Sequence, residues 1–246
     1  MKTKNIALLF VTIFALALIS SCSMISTDCV KGKGTITTSE LSIGNFTGID
    51  LAIANDVTIS QGAVQKVEVT GHPNIIDKIK TNVSDNVWRI DFKSGCYKDY
   101  KLSVNITMPV LNYVGLSGTG DVTVNDFTEQ SKLALDLSGT GDIILNNFEG
   151  IDNLSILLSG TGDIKANKDI STLKTLNCGI SGTGDYIGFN ISCENSTVNS
   201  SGTGDCQLTV SKTLTAKISG TGNIYYKDQP TINKNISGTG SIINKN

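Results

Sequence analysis

A Ser-Gly-Thr-Gly tetrapeptide occurs seven times in the second half of this 246-residue chain, starting at Ser117, Ser138, Ser159, Ser181, Ser201, Ser219 and Ser237. Successive starts lie 21, 21, 22, 20, 18 and 18 residues apart. That period is too short for helical-pair repeats and suits one coil of a stacked strand solenoid. Alignment on these starts gives three apolar columns. One residue before each start stand Leu116, Leu137, Leu158, Ile180, Ser200, Ile218 and Ile236. Three before stand Val114, Leu135, Ile156, Cys178, Val198, Ala216 and Lys234, and five after stand Val122, Ile143, Ile164, Tyr186, Cys206, Ile224 and Ile242. Alternation of period two on both sides of a Gly-rich corner means that two short strands meet at a bend in every coil. The glycines are read as supplying positive φ at that bend. The predicted fold is therefore all-β, a single-stranded parallel β-helix of about seven regular coils. Lys234 and Asn244 interrupt apolar columns, which predicts a taper or cap near that end.

The part before Ser117 lacks the tetrapeptide but still reads as strands. Ile49, Leu51 and Ile53 alternate, as do Trp88, Ile90 and Phe92, and Leu102, Val104, Ile106 and Met108. One short helix is predicted around Asn74 to Thr81, after Pro73. This part is either a less regular continuation of the solenoid, the preferred reading, or a small β domain packed on its end. In both readings it closes the first end of the rod.

The opening residues point to export. Lys2 and Lys4 precede an apolar run from Ile6 to Ile19, and Ser20-Ser21-Cys22 follows. This pattern predicts a signal peptide over residues 1–21. Ile19-Ser20-Ser21-Cys22 resembles a bacterial lipobox, so Cys22 is the expected lipidation site, against an ordinary secretory signal with a chance cysteine. The run is shorter than the roughly 20 residues that span a bilayer. A multiply acylated cysteine anchors stably where one chain would not. The membrane is thus an expected partner through the lipid, and residues 22–44 form the expected tether. One arginine, Arg89, accompanies 19 lysines, and the net charge is -2. No basic face for a nucleic acid follows from that composition. Five cysteines remain after Cys22, an odd number, so at least one stays free or pairs with another chain. Cys178, Cys193 and Cys206 fall in core columns, whereas Cys29 and Cys96 lie outside them and are the suggested disulfide.

Asn45-Phe46-Thr47-Gly48-Ile49-Asp50, Asp56-Val57-Thr58-Ile59 and Met108-Pro109-Val110-Leu111 lead into Leu116-Ser117-Gly118-Thr119-Gly120-Asp121. Over about residues 45–243 these runs resemble the auto-transporter adhesin, head GIN domain family (the DUF2807 type). The irregular first part would cover 45–114 and the coil repeats 115–243. The resemblance implies an exported or lipid-anchored bacterial envelope protein, outer-membrane by expectation, and a parallel β-helix that is right-handed. It transfers no catalytic residue. The expected function is an adhesin or ligand-binding surface module without catalysis, facing a glycan or protein ligand. The alternatives are a structural periplasmic protein and a polysaccharide-active β-helix enzyme.

Two ladders and two single residues are the chemical candidates. Asp121, Asp142, Asp163, Asp185 and Asp205 stack in one row that Asn223 and Ser241 continue without charge. They are candidate calcium ligands, calcium being the one cofactor considered. Their Gly-Thr-Gly-Asp order lacks the spacer residue of the calcium-binding nonapeptide. The competing reading has them accept hydrogen bonds from the bend's own N–H groups. Thr119, Thr140, Thr161, Thr183, Thr203, Thr221 and Thr239 form the second row. It is read as hydroxyls bonding along the rod, rather than as an ice-ordering face, which needs a wide flat surface. A lyase would need clustered carboxylates beside a cationic base. Arg89 and His72, the only residues of their types, show no partner in sequence.

Overall fold

The computed structural model describes residues 29–246, the side chains at 171 and 172 excepted. The predicted signal peptide and Cys22 lie outside the described residues. Of the described residues 53% are in strands and 2% in helix, wound into a β-solenoid of about 6 turns. The expectation from sequence is about seven regular coils.

Two stacks of parallel strands, joined by the long strands into one 19-stranded sheet, make up the walls. The strands preceding the corners stack in the order Val87–Ile90, Gly48–Leu51, Tyr113–Leu116, Lys132–Leu137 and Asn153–Leu158. The long strands Ile170–Ile180, Tyr186–Ser200 and Cys206–Ile218, then Thr231–Ile236, complete this first stack. The strands following the corners form the second stack in the order Leu102–Met108, Val57–Gln61, Val122–Val124, Ile143–Leu145 and Ile164–Ala166. That stack continues through the starts of the two long strands to Ile224–Lys227 and Ile242–Asn244.

Period-two alternation sends every second side chain into the lumen, and the pairing register stacks like on like. Val114 stands on Leu135, Leu135 on Ile156 and Ile156 on Cys178. Val122, Ile143, Ile164 and Tyr186 form the facing column, all fully buried. Each buried aliphatic side chain contributes about 1.5–3 kcal/mol, so the core grows by repetition. The columns fail in the last coil as predicted: Lys234 is exposed and Ile236 is 41% exposed.

The corners correct the reading of their glycines. None has positive φ, which among glycines is confined to Gly34, Gly95 and Gly150. A Cβ on Gly162 would instead overlap the carbonyl oxygen of Gly141, and one on Gly184 that of Gly162. Glycine is required because backbones stack directly on one another there. The ladder of N–H donors continues into the bend, as in Ser138 N–H to the Leu116 carbonyl at 2.9 Å and Thr140 N–H to Gly118 at 3.1 Å.

The first part continues the same stacking. Gly48–Leu51 and Val57–Gln61 are already a coil, lying under Tyr113–Leu116 and Val122–Val124. Beyond it the strands turn antiparallel: Lys66–Gly71 pairs with Leu102–Met108 and Thr37–Glu40 with Lys66–Gly71, covering that edge. The predicted helix is present but shorter, Pro73–Ile76. It stops because Ile79 returns to pair with Phe92 and Lys80 N–H donates to Asp91 O. A Cys29–Cys96 disulfide clasps Val30–Lys31 beside Tyr97–Lys98, the pairing suggested from sequence.

Candidate functional site

The aspartate row is a hydrogen-bond ladder between coils. Asp142 N–H donates to Asp121 Oδ1 at 2.8 Å, Asp163 to Asp142 at 2.8 Å, Asp185 to Asp163 at 2.9 Å and Asp205 to Asp185 at 2.7 Å. The donor belongs to the next coil, not to the aspartate's own bend. Asp56, which the sequence alignment missed, begins the row by accepting from Asp121 N–H at 3.0 Å. Asn223 and Ser241 extend it, at 2.7 and 3.0 Å, because an amide oxygen accepts as a carboxylate does. Lys165 Nζ sits 2.6 Å from Asp142 Oδ2 and 3.3 Å from Asp163 Oδ2. Burial alone would raise Asp142, but Lys165 and the Asp163 N–H outweigh it and hold that carboxyl below its ordinary value. Among the described residues no three His, Cys, Asp or Glu side chains come together as a metal site.

The threonine row is exposed throughout. Among the described residues no hydroxyl–hydroxyl bond joins its members. Their backbone N–H groups carry the inter-coil bonding instead, as in Thr161 N–H to Gly139 O at 3.0 Å. Stacked hydroxyl bonding is therefore not what fixes this row.

The outer face of the first stack carries a varied set of side chains. Two residues before the corner starts, this face presents Gly115, Asp136, Leu157, Gly179, Asn199, Lys217 and Asn235, aligned by register below with Asp50 and Arg89. Arg89 forms an ion pair with Asp50, and Ser117 Oγ donates to the same carboxylate at 3.1 Å. The Tyr113 hydroxyl comes within 2.7 Å, and Asp50 Oδ1 within 3.1 Å, of where a Gly115 Cβ would lie. Gly115 thus leaves the space that the tyrosine fills. Burial, and then the charge of Asp50, raise the Asp136 carboxyl above its ordinary value. Burial followed by Asp136 and Asp50 raises the Tyr113 phenol.

Two shallow clefts open on this face. One, about 470 Å³, is lined by Gly48, Asn86, Tyr113, Lys132, Asn153 and Asn177 among others. The other, also about 470 Å³, is lined by Asp136, Leu157, Gly179 and Asn199. Leu157 is 56% exposed there, flanked in register by Asp136 and Gly179. Amide groups, an aromatic ring and paired charges along a flat strand face suit weak, repeated contacts to a polar chain molecule. Sequence reasoning missed this cluster because it sought uniform columns. The signal was the column whose chemistry changes from coil to coil.

Arg89 thus has a partner, and His72 has a different one. His72 Nδ1 accepts from Lys101 N–H at 3.1 Å, and its ring packs against Gly32. Asp50 is committed to Arg89 and Ser117, and Asp136 stands beside it as the second carboxylate of the cluster.

The family model described as putative auto-transporter adhesin, head GIN domain, matches residues 45–230. Among solved structures, the chain is similar to a putative adhesin from Bacteroides fragilis at 25% identity and a TM-score of 0.80, over 88% of this chain and 100% of that one. A putative adhesin from Parabacteroides distasonis is 24% identical with a TM-score of 0.68, covering 89% and 100%. A protein from the same species, described as a putative lipid binding protein, is 21% identical with a TM-score of 0.68, covering 88% and 99%. These last two likenesses bear on the fold alone. No curated protein matches the chain.

Proposed function

The chain belongs to the putative auto-transporter adhesin, head GIN domain family, and from that premise we propose that it is a lipid-anchored module of the bacterial cell surface that binds and does not catalyse. The observation that carries the reading is the division of labour between lumen and outer face. The lumen is filled by columns of Ile, Leu and Val at 0–2% exposure, so ligand contacts fall to the outside. There the first stack offers both clefts and the Arg89–Asp50–Tyr113–Asp136 cluster. A glycan or protein surface met along this face would engage several coils at once, and avidity would multiply weak contacts. Cys22, behind the expected signal peptide, would tether the rod to the outer membrane.

Protease treatment of intact cells tests the reading, with a periplasmic protein as leakage control. Removal of the domain behind Cys22 is the expected result. Full protection would place the rod in the periplasm, make direct adhesion untenable and favour the structural envelope role.

A further inference from the structure

Five cysteines follow Cys22, and Cys29–Cys96 accounts for two of them. The other three, Cys178, Cys193 and Cys206, are all buried in the lumen. Cys178 lies just before the Ser181 corner, under Val198 of the next coil. Cys206 lies just after the Ser201 corner, on top of Tyr186. The two therefore come from consecutive coils and from the two different stacks, and their side chains converge across the corner. Their Sγ atoms are 3.8 Å apart, at 2% and 0% exposure. Cys193 is engaged elsewhere, donating its S–H to the Thr209 carbonyl at 3.5 Å.

We propose that Cys178 and Cys206 form a second disulfide, closed through the lumen while the coils are being laid down, and that Cys193 remains a thiol. A bond of about 2.05 Å requires the sulfurs to approach by roughly 1.8 Å from the 3.8 Å at which they stand. The reaction consumes a disulfide oxidant. One cysteine thiolate attacks a sulfur of that oxidant and expels its first thiolate. The second cysteine thiolate then attacks the mixed disulfide and expels the other. Two thiols lose two protons and two electrons, and the oxidant leaves as two thiols. The Cys29–Cys96 bond places the folding chain where such oxidants operate.

Burial dictates the timing. The hydrogen bond to Cys178, and then burial, raise the Cys206 thiol well above its ordinary value, and burial pushes Cys193 up to about 12. With Cys178 and Cys206 at 2% and 0% exposure, the finished solenoid gives a dissolved oxidant or reductant no access to the pair and neither makes nor loses the bond. The assignment also resolves the odd cysteine: the residue left over is buried and unavailable to another chain.

Peptide mapping of the full chain, exported and isolated from the envelope with alkylation in denaturant, tests this. No Lys or Arg lies between 178 and 206, whereas cleavage after Asp185, Glu194 and Asp205 separates all three cysteines. The expected map joins the Cys178 and Cys206 peptides and finds Cys193 alkylated, and a Cys193→Ala variant keeps the link. Three alkylated cysteines, or a link that includes Cys193, would overturn the proposal. In a second measurement, chain refolded under reductant is challenged with oxidised glutathione. The expected result is no Cys178–Cys206 link until denaturant is added and the chain refolds with the oxidant present. Cross-linking as fast in the folded state as in the unfolded one would overturn the order of events.

Discussion

A corner glycine and the threonine beside it sit one bond apart and face opposite constraints. Gly162 lies on the Gly141 carbonyl, and a methyl group there forces two coils apart. Gly162→Ala is expected to cost about 2–4 kcal/mol in denaturant unfolding, whereas Thr161→Ala, at an exposed position, stays within about 0.5 kcal/mol. A cost below 1 kcal/mol at Gly162 would mean that the coils are not held as closely as described. Asp136 carries the opposite sign of effect. Its carboxyl is raised by burial and by Asp50, so the folded state holds the proton more tightly than the unfolded chain. Its charge therefore destabilises at neutral pH, and the penalty fades as pH falls through the raised folded value towards the ordinary one near 4. Asp136→Asn is expected to stabilise by about 0.5–1 kcal/mol at pH 7 and to show no gain at pH 3. Melting temperatures at the two pH values check this.

At the scale of a row, the aspartates act as acceptors that let the chain leave each corner without orphaning an N–H group. Removing one acceptor strands its donor at a cost of about 1–2 kcal/mol. Asp163→Ala is expected to show that loss and Asp163→Asn to recover most of it, since Asn223 already fills the same place in the row. The melting curve of the parent protein is expected not to move with millimolar Ca²⁺ or after chelation, because each Oδ1 from Asp121 to Asp185 is taken by an N–H and the Lys165 ammonium bridges Asp142 and Asp163. A rise of several degrees with Ca²⁺ would restore the aspartates as ligands. The coil columns and this row were legible because register repeats them at a nearly constant interval. The antiparallel pairing of Thr37–Glu40 with Lys66–Gly71 was not, since contacts made once between distant segments leave no period to read. The glycines were located correctly and explained wrongly, because a close approach between backbones has no local signature that separates it from a tight turn. The pairing of Asp50 with Arg89 was hidden for a related reason: the partners are 39 residues apart and outside the repeat.

For the molecule as a whole, stability is shared between neighbouring coils and declines where the lumen column fails. Strand Thr231–Ile236 is mostly exposed and carries Lys234 in a core register. Amide hydrogen exchange is expected to proceed fastest from Thr231 to Asn244 and slowest in Lys132–Leu158, with opening free energies graded between them. Uniform exchange along the rod would instead indicate a single cooperative unit. Ser117, Ser138 and Ser159 are evenly spaced, and each corner bonds to the corners directly before and after it. Excision of residues 138–158 would join Leu137 to Ser159 and leave another Leu-Ser-Gly-Thr-Gly in the same place. Such a molecule can change length in whole steps of about 4.8 Å, like a stack of coins, without redesigning any one layer.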